Sequence, residues 1–221
     1  MTLRRLGAVA AAALTLTAGV SALAGCGPKT PNYQSIWSTT PTTTPVDKST
    51  LVPFPDYLTK LGVQSEQVAP GGLTDLKVTL PRPHGWTEYK NPNYSPGTVV
   101  IAEHDTYPIA MLMVFRLSGD FDVDEAVKHA DADALLSENF KKLDASTEKF
   151  QGFPSSMIEG SYDLNGRRMQ SYNRVVIATS NPPKPGIHYL IQMTVTTYEE
   201  KAKDQAPDIE AIIKGFAVSA K

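Results

Sequence analysis

A single cysteine, Cys26, occurs in the whole chain, so no internal disulfide can brace it. Any folded domain must therefore stand on its hydrophobic core. The same residue closes the run Leu23-Ala24-Gly25-Cys26, which ends an apolar stretch from Leu6 to Leu23 behind Arg4 and Arg5. A positive start, an Ala-rich apolar centre and small residues before the cysteine form the pattern of a bacterial lipoprotein signal peptide. A spanning helix wants about 20 strongly apolar residues, and this stretch, diluted by Thr15, Thr17 and Ser21, is weak for that purpose. Residues 1–25 are expected to be removed, leaving Cys26 with an S-diacylglycerol and an N-acyl group. Each buried methylene contributes about 0.8 kcal/mol, so two or three chains make attachment effectively permanent. Cys26 is then an anchor rather than a catalyst. The protein is expected on the extracytoplasmic face of the cell membrane.

Residues 26–50 read as a linker. Ser38-Thr39-Thr40-Pro41-Thr42-Thr43-Thr44-Pro45 cannot bury a core. As a coil such a segment spans about 25–30 Å, and in polyproline form about 75 Å. It is a spacer, with its threonines open to O-glycosylation. The sequon Asn93-Tyr94-Ser95 is a chance match in this context. Loss of Arg4 and Arg5 leaves 19 basic residues against 23 acidic ones, a formal charge of −4. That excludes a nucleic-acid binder and a polybasic membrane patch.

Residues 51–221 are long enough for one domain with a sizeable core. Pro55 to Gly62 reads as a short helix. Strands are expected at Leu76–Leu80, Trp86–Tyr89, Thr98–Glu103, Ile109–Leu117, Ser146–Phe150, Ser155–Leu164, Arg167–Thr179 and Ile187–Thr196. The strand at Ile109–Leu117 is apolar on both faces, which places it centrally and covered on both sides. Asn165-Gly166 demands a two-residue hairpin. Asp122 and Glu125 form a capping box for a long helix reaching Phe140. Thr197 and Glu200 form a second, for a helix running to Phe216 that Pro207 kinks or divides. The order is that of an antiparallel sheet with helices packed on it, an α+β domain.

Little of this carries catalytic chemistry. Gly152-Phe153-Pro154-Ser155-Ser156 lacks the spacing of a nucleophile elbow. His84, His104, His129 and His188 are scattered, and His129 with Asp133 is better read as a solvated helix face than as a metal pair. Asp120 to Asp124 imitates a calcium loop, but Glu125 stands where that loop needs glycine. No catalytic residue, metal ligand or cofactor is expected. Met111, Met113, Met157, Met169 and Met193 fall on strands and suit either core filling or an adaptable apolar surface. Trp86, Tyr89, Tyr94 and Tyr107 flank Pro/Gly-rich turns. Their rings could stack on sugars, receive acyl chains or close the end of the core.

Several runs together resemble the LpqN/LpqT family of mycobacterial lipoproteins. They are the lipobox followed by Gly27-Pro28-Lys29, the strand Ala110–Phe115, Gly152–Ile158, the hairpin Gly160–Arg168, and Asp208–Phe216. The resemblance implies a Mog1/PsbP-like fold, a curved antiparallel sheet of six or seven strands between helices. It also implies an envelope role connected with trehalose and mycolate glycolipids and the proteins that export them. It transfers no active-site motif. A non-catalytic, lipid-anchored binding protein is the leading expectation. A protein-interaction module without a lipid pocket and an envelope ester hydrolase are the alternatives.

Overall fold

The computed structural model describes residues 47–104, 106–180 and 182–221. Cys26, the signal segment and the threonine-rich linker lie outside the described residues. Ten strands form: β1 (Gln64–Val68), β2 (Leu76–Thr79), β3 (Thr87–Glu88), β4 (Val99–Ala102), β5 (Ile109–Ser118), β6 (Lys141–Ser146), β7 (Ser155–Leu164), β8 (Arg167–Thr179), β9 (Ile187–Tyr198) and β10 (Ala217–Ala220). The helices are α1 (Phe54–Lys60), α2 (Val123–Ala126), α3 (Ala132–Leu136) and α4 (Ala206–Gly215). The main sheet is antiparallel in the order β3-β4-β5-β9-β8-β7-β6. β1 and β4 share one edge of β5, pairing with its last and first halves respectively. β2 and β10 form a separate ribbon.

Alternation along the strands gives the sheet two faces. One carries Ala110, Leu112, Val114, Tyr172, Val176, Ile191, Met193 and Val195. Against it lie Ile209, Ile212 and Ile213 of α4, then Phe216, then Leu76 and Val218 of the ribbon. Apart from Phe140, which lies on Gly160 of β7, the opposite face is covered mainly toward one end. There Phe54 and Leu58 of α1, Val63, Ala126 and Val127 pack on Leu117, Val175, Ile177 and Leu190. The strand β5 is thus central but not covered on both sides: Ile109, Met111 and Met113 remain half-buried.

Several sequence expectations need correction. The long helix after Asp122 is broken. Asp122 does cap, accepting from the Glu125 N–H at 2.9 Å, but α2 ends after one turn, a 3-10 turn follows, and α3 adds five residues. Of its expected stripe, Val123, Val127, Ala130, Ala134 and Phe140, only Val127 is buried, and Phe140 docks elsewhere, so little burial remains to hold a continuous helix. Phe140, assigned to that stripe, instead lies on Gly160 of β7. The strand expected at Ser146–Phe150 comes earlier, as β6. Thr197 caps nothing: it is buried inside β9, and its hydroxyl bonds the Gln205 side chain. Pro207 divides the last helix by starting α4 at its second position, where its missing N–H costs no bond. The strands β1 and β10 were not foreseen. In β1 only Val68 is apolar, and β10 follows the last helix with Val218 alone fully buried. Asp47–Thr50, at the end of the expected linker, form a 3-10 turn capped by Asp47 and fastened by Lys48 Nζ donating to the Ser137 carbonyl at 2.7 Å.

Gly160 is required where Phe140 crosses β7. A Cβ there would overlap the Phe140 ring and lie 2.7 Å from the Lys141 carbonyl oxygen. Gly160→Ala should cost about 1–3 kcal/mol by overpacking. Adding Phe140→Ala should not restore wild-type stability, because the backbone clash persists; thermal melts of the three proteins check this.

Candidate functional site

The half-open sheet face can be read as cross-strand rows, because register fixes which residues stand side by side. At the end nearest the β7–β8 hairpin, Tyr162, Met169 and Tyr198 form one row. The next is Gly160, Ser171, Thr196 and Ile109. Then come Ile158, Asn173, Thr194 and Met111, followed by Ser156, Val175, Gln192 and Met113. Beyond these, Ile177, Leu190 and Phe115 pass under α1. Asn173 Oδ1 accepts from the Thr194 hydroxyl at 2.9 Å, and its amide donates to Ser171 Oγ at 3.1 Å. Asn173, Gln192, Thr194, Met111 and Met113 are all half-buried. No Asp, Glu, Lys or Arg occurs in these rows. The other face differs: it holds Arg174 and Glu159, both buried.

Tyrosines gather at the open end. Tyr107 meets Tyr198 edge to face at 5.1 Å, and Tyr89 meets Tyr94 at 6.3 Å. Burial first, then the neighbouring hydroxyls of Tyr162, Tyr94, Tyr198 and Tyr89, push the Tyr107 phenol above its ordinary value. Tyr107 thus shares its neighbourhood with four other tyrosines, whose hydroxyls can both donate and accept hydrogen bonds. The Tyr162 hydroxyl, raised chiefly by burial, bonds Thr196. The Arg167 guanidinium lies 4.2 Å from the Tyr198 ring centre and bonds Glu200 at 2.7 Å. The result is a trough with a neutral, hydrogen-bonding floor, thioethers along one side and aromatic rings at its mouth.

Of the four aromatic residues singled out from sequence, the structure brings together Tyr89, Tyr94 and Tyr107. Trp86 is elsewhere. It is 3% exposed, belongs to the α4-side core, and its indole N–H donates to Asp208 at 3.0 Å. The reason is periodic: three residues along an extended segment is an odd step, so Trp86 and Tyr89 project to opposite faces. A stacking role for Trp86 is withdrawn on that ground. Tyr162 and Tyr198 were missed because each looked like an ordinary strand residue; the signal was their placement on the uncovered face. The methionines divide as well: Met157 and Met193 belong to the α4-side core, Met111 and Met113 line the trough, and Met169 is on the trough face but buried between Tyr162 and Tyr198.

Other candidates have structural roles. The Ser155 hydroxyl is fully buried and donates to the Glu148 carbonyl at 2.7 Å. His129 stacks on Tyr57 at 4.0 Å, and Asp133 accepts from the Phe54 backbone. No cluster of three metal-ligating side chains occurs among the described residues, and no helix there is long and apolar enough to cross a membrane.

His188 ends the sheet face beside Leu117, edge-on to Phe121 at 5.3 Å, and its Nδ1 makes no hydrogen bond among the described residues. Burial lowers its pKa below the ordinary 6.5. The unfolded chain thus takes up a proton that the folded one resists. Stability contributed by neutral His188 is present above pH 6.5 and lost as pH falls through the lower folded value. The melting-temperature difference between wild type and His188→Gln should therefore shrink from pH 7.5 to 5 in matched scans.

Residues 50–219 match the family described as "Probable lipoprotein LpqN". The chain is 55% identical over 216 residues to the putative lipoprotein LpqT of Mycobacterium tuberculosis, covering 97% of this chain and 94% of that one. It is 49% identical over 217 residues to the putative lipoprotein LpqT of Mycobacterium leprae, covering 98% of each. In fold it is similar to the crystal structure of LpqN, described as involved in cell envelope biogenesis of Mycobacterium tuberculosis. That match has a TM-score of 0.64 at 18% identity, covering 77% of this chain and 99% of that one.

Proposed function

This chain belongs to the LpqN family of mycobacterial envelope lipoproteins, and we propose that it is a non-catalytic binding protein, anchored through acyl groups on Cys26, that holds a neutral glycolipid in the tyrosine-lined trough. The observation that carries this reading is the chemistry of the half-open face. It offers amides, hydroxyls, thioethers and aromatic rings, and from the Tyr162–Tyr198 row to α1 no Asp, Glu, Lys or Arg stands on this face of β5, β7, β8 or β9; Arg167, over the Tyr198 ring at the mouth, is paired with Glu200. Sugar hydroxyls need paired donors and acceptors such as Asn173, Gln192 and Thr194 supply. Tyrosine rings accept both sugar faces and acyl chains. A phosphorylated headgroup would bring charge to a floor without cations, the one at its mouth, Arg167, being engaged by Glu200, and would meet a large desolvation cost. Glycolipids of the trehalose ester class are neutral and carry both parts. Export proteins that handle such lipids are the corresponding partners.

The test is titration of the protein with a trehalose monoester, followed by NMR. Saturable shifts are expected at the rings of Tyr107, Tyr162 and Tyr198 and at the methyls of Met111 and Met113, with the Trp86 indole N–H unmoved. Tyr107→Ala should weaken binding about tenfold, equivalent to about 1.4 kcal/mol. Absence of saturable shifts at every soluble concentration would reject the reading. Shifts centred on Trp86 would place the site on the other face.

A further inference from the structure

We infer that the tyrosine end of the sheet rests against the bilayer that holds the anchor, so that the trough opens toward the membrane rather than away from it. This rests on the lipid-anchored reading above but does not require the ligand to be a glycolipid. Three observations converge. The first is where the chain arrives. Lys48 Nζ donates to the Ser137 carbonyl, and the Asp163 N–H donates to the Glu138 carbonyl at 2.9 Å, so the segment at Asp47 is fastened beside the β7–β8 hairpin. That hairpin is at the same end as Tyr162, Tyr198 and Tyr107. About 20 residues separate Cys26 from Asp47, and a coil of that length averages about 25 Å end to end. The sheet is longer than this: β5 alone, with ten residues, extends about 33 Å. The near end reaches the bilayer with the tether coiled, whereas turning the far end inward demands the more extended span and forfeits the tether's coil freedom.

The second observation is the hairpin tip. Leu164 is one of the two exposed large apolar side chains among the described residues. It projects at the near end beside half-buried Tyr162, with Tyr107 and Tyr198 close by. The other, Leu61, follows α1 and borders Gly62, which lies near Gly119 at the far end. Tyrosine bodies with polar tips suit the interface between headgroups and acyl chains.

The third is charge. The two arginines of the hairpin are paired internally, Arg167 with Glu200 and Arg168 with Asp163 at 3.0 Å. Contact made by Leu164 and the tyrosines therefore draws little on net attraction between this end and the headgroups, and should depend little on salt.

The experiment uses the full-length, acylated protein in phosphatidylethanolamine and phosphatidylglycerol vesicles carrying doxyl-quencher lipids. Acylation consumes Cys26, so a fluorophore can be placed by Leu164→Cys, by Lys201→Cys in the turn after β9 or, at the far end, by Leu61→Cys. Both near-end labels should be quenched at least threefold more than the far-end label. The ratio should hold when salt rises from about 0.05 to about 0.5 M. Equal quenching, or stronger quenching at position 61, overturns the orientation while leaving the anchored reading intact. Failure of the protein to float with the vesicles overturns both.

Discussion

Strand register is the constraint from which the rest of this structure follows. β7, β8, β9 and β5 pair without interruption, each with ten or more residues in the run. Successive side chains must then fall on alternate faces. A slip of one residue would exchange Met193 for Thr194 and Tyr172 for Asn173, putting amides into the core and apolar groups in the open. The Asn165-Gly166 turn, with φ of 50° and 72°, holds that register at one end. One long antiparallel surface thus carries a dry core on one side and a neutral binding floor on the other.

The two faces are closed differently because their covers differ in strength. α4 is a ten-residue helix whose Ile209, Ile212 and Ile213 bury fully, and with Phe216 and the β2–β10 ribbon it seals its side. The opposing cover is made of short pieces. α1 has seven residues, α2 four and α3 five, the last two joined through a 3-10 turn. Such pieces hold only where a large side chain docks, as Phe54, Leu58 and Phe140 do. They leave the middle of β5 and β9 half-covered. A trough here results from incomplete roofing rather than from a cavity carved in the core.

Much of the fold is legible in the amino-acid sequence because long strands advertise themselves. β7 and β8 lie where alternation and the Asn-Gly turn put them, and the stripe on α4 is the one its isoleucines describe. What failed to show were elements held by neighbours. β1 has no apolar period and exists because it completes an edge of β5, with Glu66 bonded to Arg116 and Gln67 to Thr98 at 2.8 Å. The helix after Asp122 had the right cap and spacing, but Phe140, the large end of its stripe, docks on Gly160 instead, and what is left buries too little to keep it continuous. The site was half-legible for a related reason. Tyr89, Tyr94 and Tyr107 stood out as loop aromatics, while Tyr162 and Tyr198 became visible only when pairing placed them on the same open face.

The separation of charge between the faces also bears on what this end of the sheet can do. Arg174 is retained in the core side because its guanidinium is engaged by the Tyr172 hydroxyl at 2.6 Å and by Ser155, and lies over the Phe150 ring. Buried charge is tolerated only with that degree of engagement. The trough provides nothing comparable, so an ion entering it would lose hydration without recompense. A neutral amphiphile loses far less, since its hydroxyls exchange water for Asn173, Gln192 and Thr194 and its chains exchange lipid for Met111, Met113 and tyrosine rings. Selectivity for such a ligand then arises from what the floor omits as much as from the groups it presents.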